Sequence, residues 1–183
     1  MDKLHEVRRN LIIVPDDGKQ NAFDSNIKVR PTLHVSWNPI DCKAKSGKVV
    51  AIGINPSTAH KGKSDNTLSR LCRLLDMYGY YDLTMLNLFE SISPRQDDVR
   101  GYVDSTETDF SEHTKLFDEA EIILVVWGLN VKRYSKQVDN ATAILKQYEN
   151  KLYCIQDDKN GVVRKPLHPS RISYNAIIDL YIM

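Results

Sequence analysis

The chain has 183 residues, of which 42% are hydrophobic, and this is enough to bury one sizeable core in a single domain. Lys and Arg number 25 against 24 Asp and Glu, so no global positive charge indicates a nucleic-acid partner and any DNA-binding surface must be local. The sequence has no apolar run of about 18 residues and no basic-then-apolar start, so we expect a soluble, cytoplasmic protein that is not bound to a membrane.

Three widely spaced cysteines, Cys42, Cys72 and Cys154, fit buried reduced thiols better than a disulfide framework. They are too few for the four thiolates of an iron-sulfur cluster, and the histidines lack the spacing of a metal site. The deaminase pattern of H-x-E with C-x-x-C, the P-loop and the G-x-G-x-x-G fingerprint do not occur either. The sequence therefore predicts no metal and no cofactor.

The N-terminal half predicts one edge strand and one central strand. Residues 1–27 form an arm whose structure the sequence does not predict, apart from a turn at residues 15–18. Residues 27–37 alternate loosely and are interrupted by Pro31, which favours an edge strand or an extended segment. Residues 48–54, Lys-Val-Val-Ala-Ile-Gly-Ile, are apolar and rich in β-branched side chains, as expected for a strand buried on both faces.

A helix is predicted next, with Ser64 or Asp65 as its N-terminal cap and Gly79 at its C-terminal end. Its apolar stripe consists of Leu68, Leu71, Leu74, Leu75 and Tyr78. Further strand-like runs are residues 83–89, 122–127 and 151–156. Phe110, His113, Phe117 and Ala120 have helical spacing, and a further helix is predicted over roughly 130–148. A turn at Asn160-Gly161 follows the last strand, and a terminal helix is predicted over 172–181.

Alternating strands and helices predict one α/β domain over residues 1–183, a three-layer α/β/α sandwich with a central, mostly parallel four-stranded sheet. In such sheets ligands bind outside the carboxyl ends of the strands. The loop of residues 53–57, the loop near Phe89, the Trp127-Gly128 turn and the loop of residues 168–173 should therefore open on one rim.

Four segments, in the same order along the chain, resemble the uracil-DNA glycosylase superfamily. Residues 53–56 (Gly-Ile-Asn-Pro) are similar to its G-x-[DN]-P motif, and residues 168–173 (His-Pro-Ser-Arg-Ile-Ser) to its H-P-S-x-[LI]-S motif. Residues 85–88 resemble the strand that ends in a base-reading Asn, and residues 125–128 the later W-G strand. Residues 53–59 with Asp65-Asn66-Thr67 match more closely a member group that is left as a domain of unknown function.

The resemblance implies removal of uracil from DNA by hydrolysis of the N-glycosidic bond. His168 would donate a hydrogen bond to uracil O2 as negative charge develops on the base, and Asn87 would read N3–H and O4. Asn55 stands where the fastest members carry Asp; it can orient a water but cannot act as a general base. Ser57 is small where the uracil-specific branch has a Tyr that excludes thymine, and His60 would replace the aromatic side chain that stacks on the flipped base.

DNA contacts are implied by the same resemblance. Ile172 matches the wedge that fills the space left by the flipped base. Flanking phosphates would be bound by Ser57, Ser170 and Ser173, with positive charge from Lys61, Lys63, Arg164 and Arg171. The expected enzyme is a monomer that acts on uracil in single- or double-stranded DNA, and it is monofunctional because no Lys replaces a motif residue as an amine nucleophile.

Two alternatives from other classes remain open at the level of sequence. One is a non-catalytic nucleic-acid-binding module of the same fold, which would bind DNA without producing abasic sites. The other is a hydrolase of a free modified nucleoside or nucleotide, which the near-zero net charge favours.

Overall fold

A computed structural model describes residues 12–14, 19–20, 28–39, 45, 47–56, 64–92, 106–129, 131–157, 166–173 and 175–181. The strands are β1 (Ile12–Val14), β2 (Lys19–Gln20), β3 (Lys28–Val29), β4 (Leu33–Ser36), β5 (Lys48–Gly53), β6 (Asp82–Asn87), β7 (Ala120–Val125), β8 (Leu152–Gln156) and β9 (Ile177–Leu180). The helices are α1 (Asn66–Met77), α2 (Thr114–Glu119) and α3 (Ser135–Leu145). Short 3-10 segments cover Phe110–His113, Lys132–Tyr134, Lys146–Lys151 and Pro169–Arg171.

The mixed α/β architecture is built on a seven-stranded sheet, as far as the described residues go, in the order β1-β4-β6-β5-β7-β8-β9. Strands β6, β5, β7 and β8 are parallel to one another, as the alternating pattern predicts. The predicted count of four strands is wrong because antiparallel strands extend this parallel centre on both sides, β4 and β1 beside β6 and β9 beside β8. Strands β2 and β3 form a separate two-stranded sheet.

Strand β9 also corrects the predicted terminal helix over residues 172–181. Ile177–Leu180 pairs antiparallel with β8, from Gln156↔Ile177 to Tyr153↔Leu180. The two consecutive β-branched residues Ile177 and Ile178 suit a strand, and the edge of β8 offers them backbone partners. Likewise β4 is not an edge strand, because β1 from the N-terminal arm pairs with it.

Strand β5 is buried on both faces, as its composition predicts. Val49 and Ala51 belong to one core cluster, which α1 joins through Leu68, Leu71 and Leu75. Val50 and Ile52 belong to a second cluster on the opposite face, with Phe117 of α2 and Ala141 and Leu145 of α3. Successive side chains of a strand point to opposite faces, so helices cover both sides of the sheet.

Helix α1 begins and ends where the sequence predicts. The Asp65 side chain accepts a hydrogen bond from the backbone N–H of Leu68 at 2.7 Å, which makes it the N-terminal cap. Gly79 follows the helix with a φ of 86°, a conformation that glycine adopts without the steric cost of a Cβ. Both ends of the helix are thereby fixed, and its first turn lies beside the end of β5.

The prediction of buried, reduced cysteines is confirmed where the structure describes them. Cys72 and Cys154 are buried thiols, and burial raises the pKa of the Cys72 thiol well above its ordinary value. Cys42 and the predicted Asn160-Gly161 turn lie outside the described residues. Within the described ranges, no helix combines the length and apolar character that crossing a membrane requires.

Candidate functional site

A pocket opens at the carboxyl ends of β5 and β6, where the sequence places the ligand rim. Its volume is about 70 Å³, which is room for several water molecules. Its polar lining consists of Arg30, Asn55, Asp65, Thr67, Asn87 and His168, and the rest of the wall is apolar. The pocket thus brings together three residues from separate predicted motifs: Asn55, Asn87 and His168.

Gly53 and Asn87 lie side by side at the ends of β5 and β6. They are paired in the parallel register, and the backbone N–H of Leu88 donates to the carbonyl oxygen of Gly53 at 3.0 Å. A Cβ built on Gly53 would lie 2.7 Å from the amide end of Asn87, closer than side chains tolerate. Glycine is therefore required at this position if Asn87 is to keep its place.

Asn87 is only 7% exposed, and its amide is oriented by backbone groups. In the orientation that satisfies both ends of the amide, its nitrogen donates to the carbonyl oxygens of Leu86 and Asn55, each at 3.3 Å. These contacts occupy both donors of the amide, so a ligand N–H would be bound through its oxygen, an acceptor with two lone pairs. No donor remains for uracil O4, so the predicted reading of O4 by Asn87 does not fit this arrangement. Asn55 itself donates from Nδ2 to the carbonyl oxygen of Pro56 at 3.2 Å.

His168 is held by Ser170 in a defined tautomer. Its Nδ1 accepts from the backbone N–H of Ser170 at 3.3 Å and lies 2.8 Å from the Ser170 hydroxyl. Because a backbone N–H can only donate, the proton of a neutral imidazole must reside on Nε2. Burial, and secondly the positive charge of Arg171, lower the pKa of His168 below its ordinary 6.5, against an opposing effect of Asp65. The group is thus a neutral Nε2–H donor near pH 7.

This tautomer and pKa can be measured directly. We expect nitrogen-detected NMR titration to show His168 with a pKa below 6.5 and its neutral proton on Nε2. The unfolded chain binds the proton more tightly, so the His168 contribution to the free energy of unfolding decreases as the pH falls through about 6.5 and levels off below the folded pKa. A pKa above 6.5, or a neutral proton on Nδ1, would contradict the arrangement with Ser170.

The loop that carries His168 is fixed from three directions. Arg70 of α1 donates from Nη1 to the carbonyl oxygens of Ser170 at 2.8 Å and Ile172 at 3.2 Å. Asp157, buried after β8, accepts from the backbone N–H and the hydroxyl of Ser173 at 2.9 and 3.0 Å. Gly128, with a φ of 85°, packs so closely that an added Cβ would lie 3.1 Å from the His168 Cβ.

The predicted DNA contacts are only partly brought to the pocket. Ser170 and Arg171 are exposed beside His168. Ile172 is 8% exposed and packs in the core cluster of α1, which does not fit the wedge role. Ser173 uses both of its donors on Asp157, so a phosphate would have to compete with a carboxylate for them. Ser57, His60, Lys61, Lys63 and Arg164 lie outside the described residues.

A second pocket of about 260 Å³ adjoins the first on the other side of His168. It is lined by Ile54, Trp127, Gly128, Leu129, Leu167, His168, Ser170 and Arg171. Trp127 is buried in the core, whereas Leu129 is 50% exposed. The second pocket therefore combines an exposed apolar side chain with the cation of Arg171.

Several residues of the site are not predicted from the sequence. Arg30 is 5% exposed and lines the first pocket, yet it stands beside Pro31 in an irregular segment with no motif around it. Asp65 carries a sequence signal as a helix cap, and that signal does not reveal that it also lines the pocket. Arg70 and Asp157 act through the backbone of a distant loop, which local patterns cannot show. Across the described ranges, the site included, no three His, Cys, Asp or Glu side chains are grouped so as to hold a metal ion.

Residues 30–170 match the model of a protein family described as "Protein of unknown function (DUF1643)". The chain belongs to the DUF1643 family. The matched segment contains every described residue that lines the first pocket, from Arg30 to Pro169. No curated protein and no solved structure matches the chain. The DUF1643 description agrees with the predicted relation to a group of unknown function, and it names no activity.

Proposed function

We propose that the chain is a monofunctional DNA glycosylase with a three-layer, uracil-DNA glycosylase-like fold that hydrolyses the N-glycosidic bond of uracil in DNA after base flipping. The observation that carries this proposal is the meeting of Asn55, Asn87 and His168 in one pocket at the carboxyl ends of the parallel strands. These residues come from three separate segments, each of which resembles a different motif of the superfamily.

The chemistry of the pocket supports this reaction. As the glycosidic bond breaks, negative charge develops on uracil, and the neutral Nε2–H of His168 is a suitable donor to its O2. The Asn87 oxygen can accept the N3–H, which cytosine lacks in its neutral form. Arg30, a donor only, suits a base rich in carbonyl oxygens. No step in this scheme needs a metal or cofactor.

The test is excision from a labelled oligonucleotide that contains one deoxyuridine, single-stranded or paired with A or G. Alkali-labile breaks at the deoxyuridine are expected from the wild-type protein. Intact strands, from protein shown to be folded, would reject the glycosylase and favour a binding module if the same protein retards DNA in a salt-dependent way.

Leu129 is the side chain that we propose as the wedge in place of the buried Ile172. It is exposed, apolar and adjacent to His168 through the second pocket, and apolar side chains fill the gaps that flipped or unstacked bases leave. We expect Leu129→Ala to slow single-turnover excision from duplex DNA by about ten-fold, because flipping costs a few kcal/mol, and to leave single-stranded excision nearly unchanged.

Leu180 provides a matched control, since it is 48% exposed on the edge strand β9 and does not line either pocket. Leu180→Ala should leave both rates unaltered. Equal slowing of both substrates by Leu129→Ala would show that Leu129 supports the pocket and is not a wedge.

Arg30 favours a second candidate, a hydrolase of a free nucleotide. A buried guanidinium can bind a phosphate with charge-assisted hydrogen bonds, and the small pocket lies close to it. Release of uracil from deoxyuridine monophosphate, without excision from oligonucleotides, would select this candidate over the first.

A further inference from the structure

Asn55 leaves the proposed hydrolysis without a proton acceptor, because an amide takes up no proton near neutral pH. A carboxylate is nevertheless present, since Asp65 lines the same pocket as Asn55 and His168. We propose that Asp65 is a catalytic residue whose carboxylate accepts a proton from the water that attacks the sugar. This inference rests on the proposed glycosylase function and names the group that the first motif lacks.

Its role as the helix cap holds the Asp65 carboxylate at the pocket wall and uses only one of the two carboxylate oxygens. Oδ1 accepts the hydrogen bond from the Leu68 N–H at 2.7 Å, which fixes the side chain at the start of α1. Within the described part of the chain, no donor binds Oδ2. An ionised carboxylate offers about four lone-pair sites, so a single capping bond leaves acceptors for a water.

The charge of Asp65 also acts on the other end of the pocket. It raises the pKa of His168, although burial and Arg171 outweigh it there. The carboxylate therefore lies within electrostatic range of the imidazole that would bind the leaving base. In the transition state the sugar carries positive charge, and an anion on this wall stabilises it in addition to accepting the proton.

The step balances without any co-reactant other than water. The water oxygen forms a bond to C1′ of the deoxyribose while the bond from C1′ to N1 breaks, and the electron pair of that bond leaves with uracil. The water proton passes to Asp65, and the uracil anion is bound through O2 by the Nε2–H of His168. Transfer of the proton from Asp65 to the departing base or to solvent then restores the carboxylate.

Asp65→Asn separates this role from capping, because Asn is as good an N-terminal cap as Asp but cannot accept a proton. We expect single-turnover excision by Asp65→Asn to fall by about 100-fold or more, within the range of general base catalysis, with an unchanged melting temperature. The comparison is made at pH 8, where His168 is neutral in both proteins, so that a change in the His168 pKa cannot cause the loss. Asp65→Ser, also a good cap, should be equally slow.

A carboxylate supplied in another way should restore excision to the Asp65→Asn protein. Asn55→Asp in the Asp65→Asn background, or formate added to Asp65→Asn, is expected to raise the rate at least ten-fold. Wild-type rates in Asp65→Asn would overturn the inference while leaving the glycosylase proposal intact, and so would a slow Asp65→Asn that neither carboxylate rescues. Absence of abasic product from the wild-type protein would instead reject the proposed function itself.

Discussion

Replacing His168 with alanine is expected to lower single-turnover excision of uracil by ten-fold to about a thousand-fold, the usual loss for one donor that stabilises a developing anion. The neutral Nε2–H is oriented by Ser170 through Nδ1, so the donor is in place before the reaction begins. A preorganised donor of this kind acts on the transition state more than on the bound substrate, so the loss should appear in the rate at saturating protein and less in the affinity for DNA.

His34→Ala is the matched control for this experiment. His34 lies on β4, is half-buried, and contacts the carboxylate of Asp82 at 3.0 Å, and it does not line the pocket. Its loss should leave excision unchanged. If His168→Ala excised uracil at the wild-type rate, the proposed role of the second motif would be rejected even for an active glycosylase.

Gly53→Ala is expected to slow excision by about 100-fold or more and to lower the melting temperature by several degrees, because Asn87 loses its backbone partners. The added Cβ would fall 2.7 Å from the amide end of Asn87, so that side chain must turn away from the place where its oxygen can accept a ligand N–H. A buried polar group of the site that loses its partner typically costs ~1–3 kcal/mol, and misplacement of the base adds to this. The side-chain end can move without displacing the backbone, which is why the fold should survive.

Gly47→Ala offers the same chemical change just before the other end of β5. The new Cβ would meet the exposed Glu121 side chain, which is flexible and can move aside. This contact lies at the opposite end of β5 from Asn87. We expect wild-type excision from Gly47→Ala. Full activity of Gly53→Ala would mean that Asn87 does not read the base.

The centre of the fold follows from local patterns, and its periphery does not. Continuous β-branched runs predict the parallel strands, and Asp65 and Gly79 predict the ends of α1, because those signals arise from burial on both faces and from unpaired backbone groups at helix ends. Residues 172–181 have a pattern compatible with a helix, but pairing with β8 decides their structure. That pairing depends on an edge that only the assembled sheet creates.

The candidate site shows the same division. Asn55, Asn87 and His168 follow strands or resemble motifs, and the carboxyl ends of parallel strands necessarily meet at one rim. Ile172 has an apolar side chain that suits a wedge or a core equally well, and only the packing of α1 distinguishes the two. Arg30 reaches the pocket from an irregular segment, so no periodicity could place it there.

Helix α1 fixes a distance between two parts of the site. Asp65 at its N-terminal cap lines the pocket, and Arg70, five residues later, holds the carbonyl oxygens of the His168 loop. Each helical residue turns the chain by about 100° and advances it ~1.5 Å, so a single inserted residue would swing Arg70 away from that loop. The spacing Asp-x4-Arg, read together with a later His-Pro-Ser, is therefore a compact signature by which other chains with this arrangement can be recognised from sequence.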